Sequence, residues 1–151
     1  MPLNTNVSVG QYEPGQGFHG GRRWNKASAV VITKGMLLAN DTTTGPDSLK
    51  IAAINQADGS TFYYATEDAP AGTTKVSAAN TGRVPMLADG TIEVGAKVIR
   101  GATNAGRVET QGAGAEGLVF GICLGRPGQD AGDQTAVAAG QLALIDWNKT
   151  R

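Results

Sequence analysis

Ile32-Thr33-Lys34-Gly35-Met36-Leu37-Leu38 is echoed sixty residues later by Ile92-Glu93-Val94-Gly95-Ala96-Lys97-Val98. Each stretch is an apolar approach, a glycine turn and a second apolar run, which reads as strand, turn, strand. In the same register, Pro70-Ala71-Gly72-Thr73-Thr74-Lys75-Val76 lines up with Asp130-Ala131-Gly132-Asp133-Gln134-Thr135-Ala136. Both halves then pass through small residues to Gly82 or Gly140, followed by an apolar strand, Val84 to Leu87 or Leu142 to Ile145. A pattern that returns at a fixed period implies a repeated structural unit. The expectation is an all-β body, residues 27–151, made of two pseudo-repeated lobes and suited to contact more than to chemistry.

Working outward, each further run is placed by its turn residues. Ser28 to Thr33 and Met36 to Ala39 read as strands around the Lys34-Gly35 turn, and Asn40 to Asp47 reads as a loop. Ser48 to Ile54 and Thr61 to Thr66 flank Asp58-Gly59, a hairpin signal. Gly82 to Leu87 contains Pro85, which cannot donate to a ladder and so belongs at a sheet edge or bulge. Thr91 to Arg100 is a strand–glycine–strand unit, and Arg107 to Glu109 a short strand. In Leu118 to Leu124, alternation puts Phe120, Ile122 and Leu124 on one face and Val119, Gly121 and Cys123 on the other. Glycine on that second face admits a close backbone. Gln141 to Asp146 closes the chain. No stretch carries a sustained helical stripe; Ala78-Ala79 and Ala138-Ala139 suit a single helical turn at most.

Residues 1–26 read as an extended N-terminal arm, because Gly10, Gly15, Gly17, Gly20, Gly21 and Pro14 interrupt any periodic pattern. Tyr12, Phe18 and Trp24 lie among them and need covering, by the body or by a partner. Trp24 beside Arg22 and Arg23 has the composition of an interface hot spot; the competing reading is that Trp24 starts the core. Tyr12, Phe18, Arg22, Arg23 and Trp24 are therefore the candidate contact residues.

Thirteen basic and thirteen acidic residues leave the 151-residue chain neutral. A neutral chain lacks the electrostatic footprint of a nucleic-acid binder, and direct nucleic-acid contact is not expected. The single cysteine, Cys123, excludes an intrachain disulfide framework and reads as a small buried hydrophobe. No run approaches the ~20 apolar residues of a membrane span. No basic-then-apolar leader is visible, so synthesis and use in a cytoplasm are expected, and the glycosylation triplets at Asn6, Asn40 and Asn148 read as coincidence.

Motifs that would carry chemistry are weak. Gly15-Gln16-Gly17-Phe18-His19-Gly20 matches the dinucleotide fingerprint, but no strand leads in and no helix leads out. His19 is the sole histidine, and nothing fixes it near a nucleophile. Glu67-Asp68 and Asp130 with Asp133 are acidic pairs at turns, too few for a calcium loop. No catalytic, cofactor-binding or metal-ligating set is expected.

Thr33-Lys34-Gly35-Met36, Ala105-Gly106-Arg107-Val108-Glu109-Thr110, Phe120-Gly121-Ile122-Cys123-Leu124 and Ala131-Gly132-Asp133 occur in an order that resembles the small capsid decoration, or cement, proteins of tailed bacteriophages. The resemblance spans about residues 27–146 and does not include the arm. It implies a β-barrel or β-tulip-like body, a homotrimer, the major capsid protein as partner, no cofactor, and a place on the exterior of an expanded virion capsid after synthesis in the host cytoplasm. Asp68-Ala69-Pro70-Ala71-Gly72-Thr73 also resembles the turn of β-clip domains, which implies a small-ligand-binding or catalytic module instead. A virion fibre or other virion structural protein is the third reading.

Overall fold

The structure is a computed structural model that describes residues 22–112 and 117–147. Among them are ten strands and no helix, so the all-β expectation holds. The strands are β1 (Arg22–Asn25), β2 (Leu37–Asn40), β3 (Leu49–Ile51), β4 (Phe62–Ala65), β5 (Lys75–Ala79), β6 (Gly82–Leu87), β7 (Lys97–Arg100), β8 (Val108–Thr110), β9 (Gly121–Gly125) and β10 (Leu142–Trp147). They form two antiparallel five-stranded sheets, in the orders β1-β5-β4-β2-β3 and β6-β10-β9-β7-β8.

The two orders are the same, taken strand by strand. The repeat is therefore a duplication of a whole five-stranded lobe. Ile32 bridges Ala69 and Ile92 bridges Val137. Gly35 and Gly95 have the same φ of 88° and donate to Ala65 and Cys123 across the sheet. Among the described residues neither lobe closes into a barrel, and the edge strands of each meet only at an isolated parallel bridge, Asn25 to Ser48 in the first and Ala88 to Val108 in the second.

The duplication corrects three expectations. First, the bridge that follows the turn glycine pairs Ala69–Gly72 with Val137–Gly140, not with Asp130–Ala136. The second lobe carries a longer connection there, Arg126–Thr135, which breaks the constant spacing. Second, Val84–Leu87 and Leu142–Ile145 are hydrogen-bonded neighbours, with Leu87 opposite Leu142 and Val84 opposite Ile145, and not equivalents. The equivalent of β6 is β1, so Arg22–Asn25 is an edge strand of the first sheet and not part of an arm that ends at residue 26. Third, Ala78-Ala79 lies in β5, four of whose five residues are buried. Alanine and serine suit it because this sheet is covered on both faces: Ala79 joins one core and Val76 and Ala78 the other.

Pro85 sits on an edge strand, as its missing N–H requires. Ser28–Thr33 does not form a strand. The Lys26 side chain, 2% exposed, donates to the Ala27 and Val30 carbonyls at 3.2 and 2.6 Å and folds this stretch into a turn. Buried ammonium groups persist only with such acceptors.

The larger core spans both lobes. Leu37, Ala39, Phe62 and Tyr64 from the first meet Met86, Phe120, Ile145 and Trp147 from the second. The rings form a chain: Phe62–Phe120 at 5.0 Å, Phe120 stacked on Trp147 at 4.8 Å, and Trp147–Tyr64 at 5.2 Å. Gly121 lies opposite Trp147, and a Cβ there would fall on the Asp146 carbonyl. That is the close approach expected of this glycine face.

One device is conserved in position but not in origin. After β2, Thr43 and Thr44 donate their backbone N–H groups to Asp41 at 3.1 and 3.3 Å. After β7, the equivalent Thr103 and Asn104 donate theirs to Asp89, at 2.7 and 3.0 Å, from a different strand end. Where the first lobe has Asp41 the second has Gly101, and a Cβ at Gly101 would lie 2.6 Å from the Asp89 carboxylate. Gly101→Ala is therefore expected to lower unfolding free energy by about 1–3 kcal/mol. Gly59→Ala, with nothing near its Cβ, is expected to leave it unchanged. Urea denaturation of the two variants checks the contrast.

Candidate interaction surface

The expected contact residues that can be placed sit on β1. Tyr12 and Phe18 lie outside the described residues. Trp24 is only 7% exposed and packs on Tyr63 with ring centroids 4.8 Å apart, inside the smaller core of the first lobe. Its indole Nε1 is buried and finds no hydrogen-bond partner among the described residues. Trp24 thus lies in the core of the first lobe.

Arg22 and Arg23 project from the same edge strand and are well exposed. Arg22 stacks over Trp24 with its guanidinium 4.1 Å from the ring centre and reaches Asp47 at 2.8 Å. Arg23 reaches Glu67 at 3.3 Å. Exposed pairs of this kind contribute about 0–1 kcal/mol and exchange readily for other partners. The edge strand therefore presents one cation, Arg22, on an apolar base, and a second, Arg23, on its opposite face.

A second feature escaped the sequence reading. The long connection of the second lobe, Arg126–Thr135, is tied by its own side chains. Arg126 N–H donates to Gln129 Oε1 at 2.6 Å, Gln129 Nε2 to the Asp133 carbonyl at 2.9 Å, and Arg126 pairs with Asp133 at 3.2 Å. Asp133 also accepts from the Thr135 hydroxyl and amide at 2.6 and 2.9 Å. The Thr135 hydroxyl chiefly, with that amide and Gln129, lowers the Asp133 carboxyl to about 2. The only sequence signal was the broken repeat register.

The acidic turns hold the body's own backbone together. Asp68 accepts the Lys34 amide at 2.8 Å, and Glu67 holds Arg23. Asp41 is lowered to about 2, first by the Thr43 and Thr44 hydroxyls. Burial alone would raise Asp89, but hydrogen bonds from Asn104 and Thr103 outweigh it, and its carboxyl is lowered. Cys123 is fully buried, and burial raises its thiol pKa. Among the described residues no three His, Cys, Asp or Glu side chains come together as a metal-ligand set. No helix there is long and apolar enough to cross a membrane.

A cavity of about 280 Å³ lies between the lobes, lined by Lys34, Gly35, Met36, Leu87 and Arg107 among others. It is smaller than ordinary ligand pockets of ~300–1,000 Å³ and contains no paired acid, base or nucleophile. His19, the sole histidine, lies outside the described residues.

No family model matches the chain, and no curated protein matches it. Its fold matches a solved phage structure. The N base of the head fiber gp8.5 of bacteriophage phi29 superposes with a TM-score of 0.55 at 17% identity, covering 85% of this chain and 92% of that one. The likeness lies in the fold, and it takes in most of both molecules.

Two outcomes follow for these residues. Trp24→Ala is expected to destabilise the body by about 3 kcal/mol, as for other buried tryptophans, while Arg22→Ala changes stability by about 0.5 kcal/mol or less; thermal melts of both variants decide this. Asp41 is depressed in the folded state from its ordinary 3.8 to about 2, so its contribution is complete above pH 4 and is lost as pH falls through 2. Asp41→Asn is expected to flatten the loss of stability between about pH 4 and pH 2, measured by denaturation at stepped pH.

Proposed function

We propose that this chain is a structural protein of a phage head, carried on the exterior of the expanded shell as a decoration protein that bridges major capsid subunits. The observation that carries this reading is the shared fold with a phage head-fiber base over 85% of this chain and 92% of that one. The interior supports it. The cavity between the lobes holds no paired acid, base or nucleophile, and Asp41, Asp89 and Asp133 are engaged in holding loops.

The mechanism is physical. A protein that touches several shell subunits at once gains effective concentration for each contact after the first, raising avidity by about 10²–10⁴ without new contacts. If it binds only the expanded lattice, it stabilises that lattice by mass action. A trimer at a threefold position would satisfy both conditions, with β1 and its Arg22–Arg23 pair next to the segment that reaches a neighbour.

The neighbour's own nature favours a second reading, in which the chain is the base of a head fiber and anchors a longer appendage without bracing the shell. Both readings place the chain on virions, and the decoration reading also excludes it from unexpanded precursors. Mass spectrometry of gradient-purified particles is expected to find it in mature heads and not in procapsids, and a protein confined to the lysate would end both. Heating heads with and without bound protein separates them. A decoration protein raises the rupture temperature, and a fiber base leaves it unchanged. A chain lacking residues 1–21 is expected to keep its fold and bind heads less tightly, whereas removal through residue 26 also deletes β1 and Trp24 and is expected to unfold the first lobe.

A further inference from the structure

Two cations line the cavity of about 280 Å³ between the lobes, exposed Lys34 from the first lobe and half-buried Arg107 just before β8, and no carboxylate lines it. The ion pairs among the described residues belong to Arg22, Arg23 and Arg126, so neither of these two cations is paired there. Two carboxylates touch lining residues, and both are engaged. Asp68 accepts the Lys34 amide at 2.8 Å, and Asp89 accepts the Asn104 side chain at 2.7 Å besides its two loop amides. Burial raises the Asp89 carboxyl, the Asn104 and Thr103 donors lower it, and Arg107 adds to the lowering without a hydrogen bond of its own.

The wall between the cations is apolar, from Met36 and Leu87, and it is held in place. Gly35 and Gly106 donate to the Ala65 and Ala52 carbonyls at 2.8 and 3.0 Å. The duplication shows what is missing. The first-lobe position equivalent to Gly106 is Asp47. Each has a positive φ, 78° and 56°, and each precedes the residue whose carbonyl accepts the Gly101 or Asp41 amide. The Asp47 carboxylate pairs with Arg22 at 2.8 Å. The second lobe sets a cation, Arg107, beside this position and has glycine where the first has the carboxylate.

We propose that the cavity receives an acidic side chain of a protein partner, with its methylenes against Met36 and Leu87 and its carboxylate held by Arg107 and Lys34. A guanidinium offers the planar pair of donors that a carboxylate accepts. The volume falls below the ~300–1,000 Å³ of small-molecule pockets, whereas interface anchors are single side chains seated in pockets. A wall already in place lowers the ordering cost of such a contact. The assignment rests on the reading of this chain as one that docks on a larger protein assembly, and it names the chemistry of one contact.

The test is an NMR titration of the full chain with N-acetyl-glutamate amide, its glutamine analogue and sulfate, read at the Gly35, Gly106 and Arg107 amides. The glutamate compound is expected to give saturable shifts at about millimolar concentration, at least about tenfold tighter than the other two. Lys34→Gln and Arg107→Gln are each expected to weaken it about tenfold. Ala105→Glu sets a carboxylate at an exposed lining position and is expected to abolish it. Lys75→Gln removes a cation that does not line the cavity and is expected to change nothing. Lys34 and Ala105 are exposed, so their variants are expected to melt like the parent and keep the test valid if Arg107→Gln unfolds. No saturable response, glutamine or sulfate binding as tightly, or unaltered binding in either Lys34→Gln or Ala105→Glu overturns the proposal. Cosedimentation with heads is read separately. Heads that hold the parent and Ala105→Glu alike leave the docking reading standing and overturn the role of the cavity. A parent that does not bind heads ends that reading, while the titration still decides the cavity.

Discussion

The molecule depends on a run of four rings, Phe62, Phe120, Trp147 and Tyr64, laid across the junction of two lobes. Each lobe is a five-stranded sheet of about sixty residues, a size at which a lone hydrophobic core is marginal. The chain is poor in aromatic residues, 5% in all, and places four of them at this one seam. Their burial makes the larger core a property of the pair of lobes. The smaller core, on the far face of the first sheet, holds Trp24, Ile32, Leu38, Leu49 and Val76 and closes the first lobe alone. Backbone bonds reinforce the seam, with Leu37 N–H donating to the Gly106 carbonyl and Gly106 N–H to that of Ala52.

Duplication followed by divergence explains features that look unrelated in isolation. Two loops need an acceptor for the same pair of amides, and two different carboxylates supply it. Asp41 does so from within its loop, and Asp89 reaches in from the end of β6, which is possible only because Gly101 leaves the space. A similar difference separates the faces. Leu37 and Tyr64 form an internal contact, while their counterparts Lys97 and Ile122 lie in solvent. The second lobe also carries the longer Arg126–Thr135 connection, held by its own hydrogen bonds.

Strand type and position were legible wherever turn chemistry framed a short run. Gly35 and Gly95, the Pro85 edge, the alternation through Cys123 and the closing strand all follow from local rules, because each turn constrains its own neighbours. What failed was anything set by distant partners. Ser28–Thr33 has a strand's composition, but the buried Lys26 ammonium draws its carbonyls into a turn. Ala78-Ala79 has no strand propensity of its own, yet two cores fix it there. Val84–Leu87 and Leu142–Ile145 look like repeats because both are apolar, when they are partners in one ladder. Alternation separated Ile122 and Leu124 from Gly121 and Cys123 within β9 but wrongly grouped Phe120 with the first pair, because Phe120 precedes the strand and its ring is buried in the shared core; nor could it say which face is inward, and Cys123 is buried while Ile122 and Leu124 are exposed. Trp24 beside two arginines reads equally as hot spot or core, and only the position of β1 in the sheet decides it.

The way the charges are disposed limits how such a body can adhere to anything. Arg22 with Asp47, Arg23 with Glu67 and Arg126 with Asp133 are all exposed or half-exposed pairs. Each adds little to stability, and each is screened within about 8–10 Å at physiological salt. Exchanging one for an intermolecular pair therefore changes the free energy little, so such pairs orient a contact more than they strengthen it. Strength must come from apolar area and from multiplicity. The described surface concentrates its exposed apolar side chains on the outer face of the second sheet. Within the chain this dependence on apolar area is already visible, where lobe packs on lobe through the shared core.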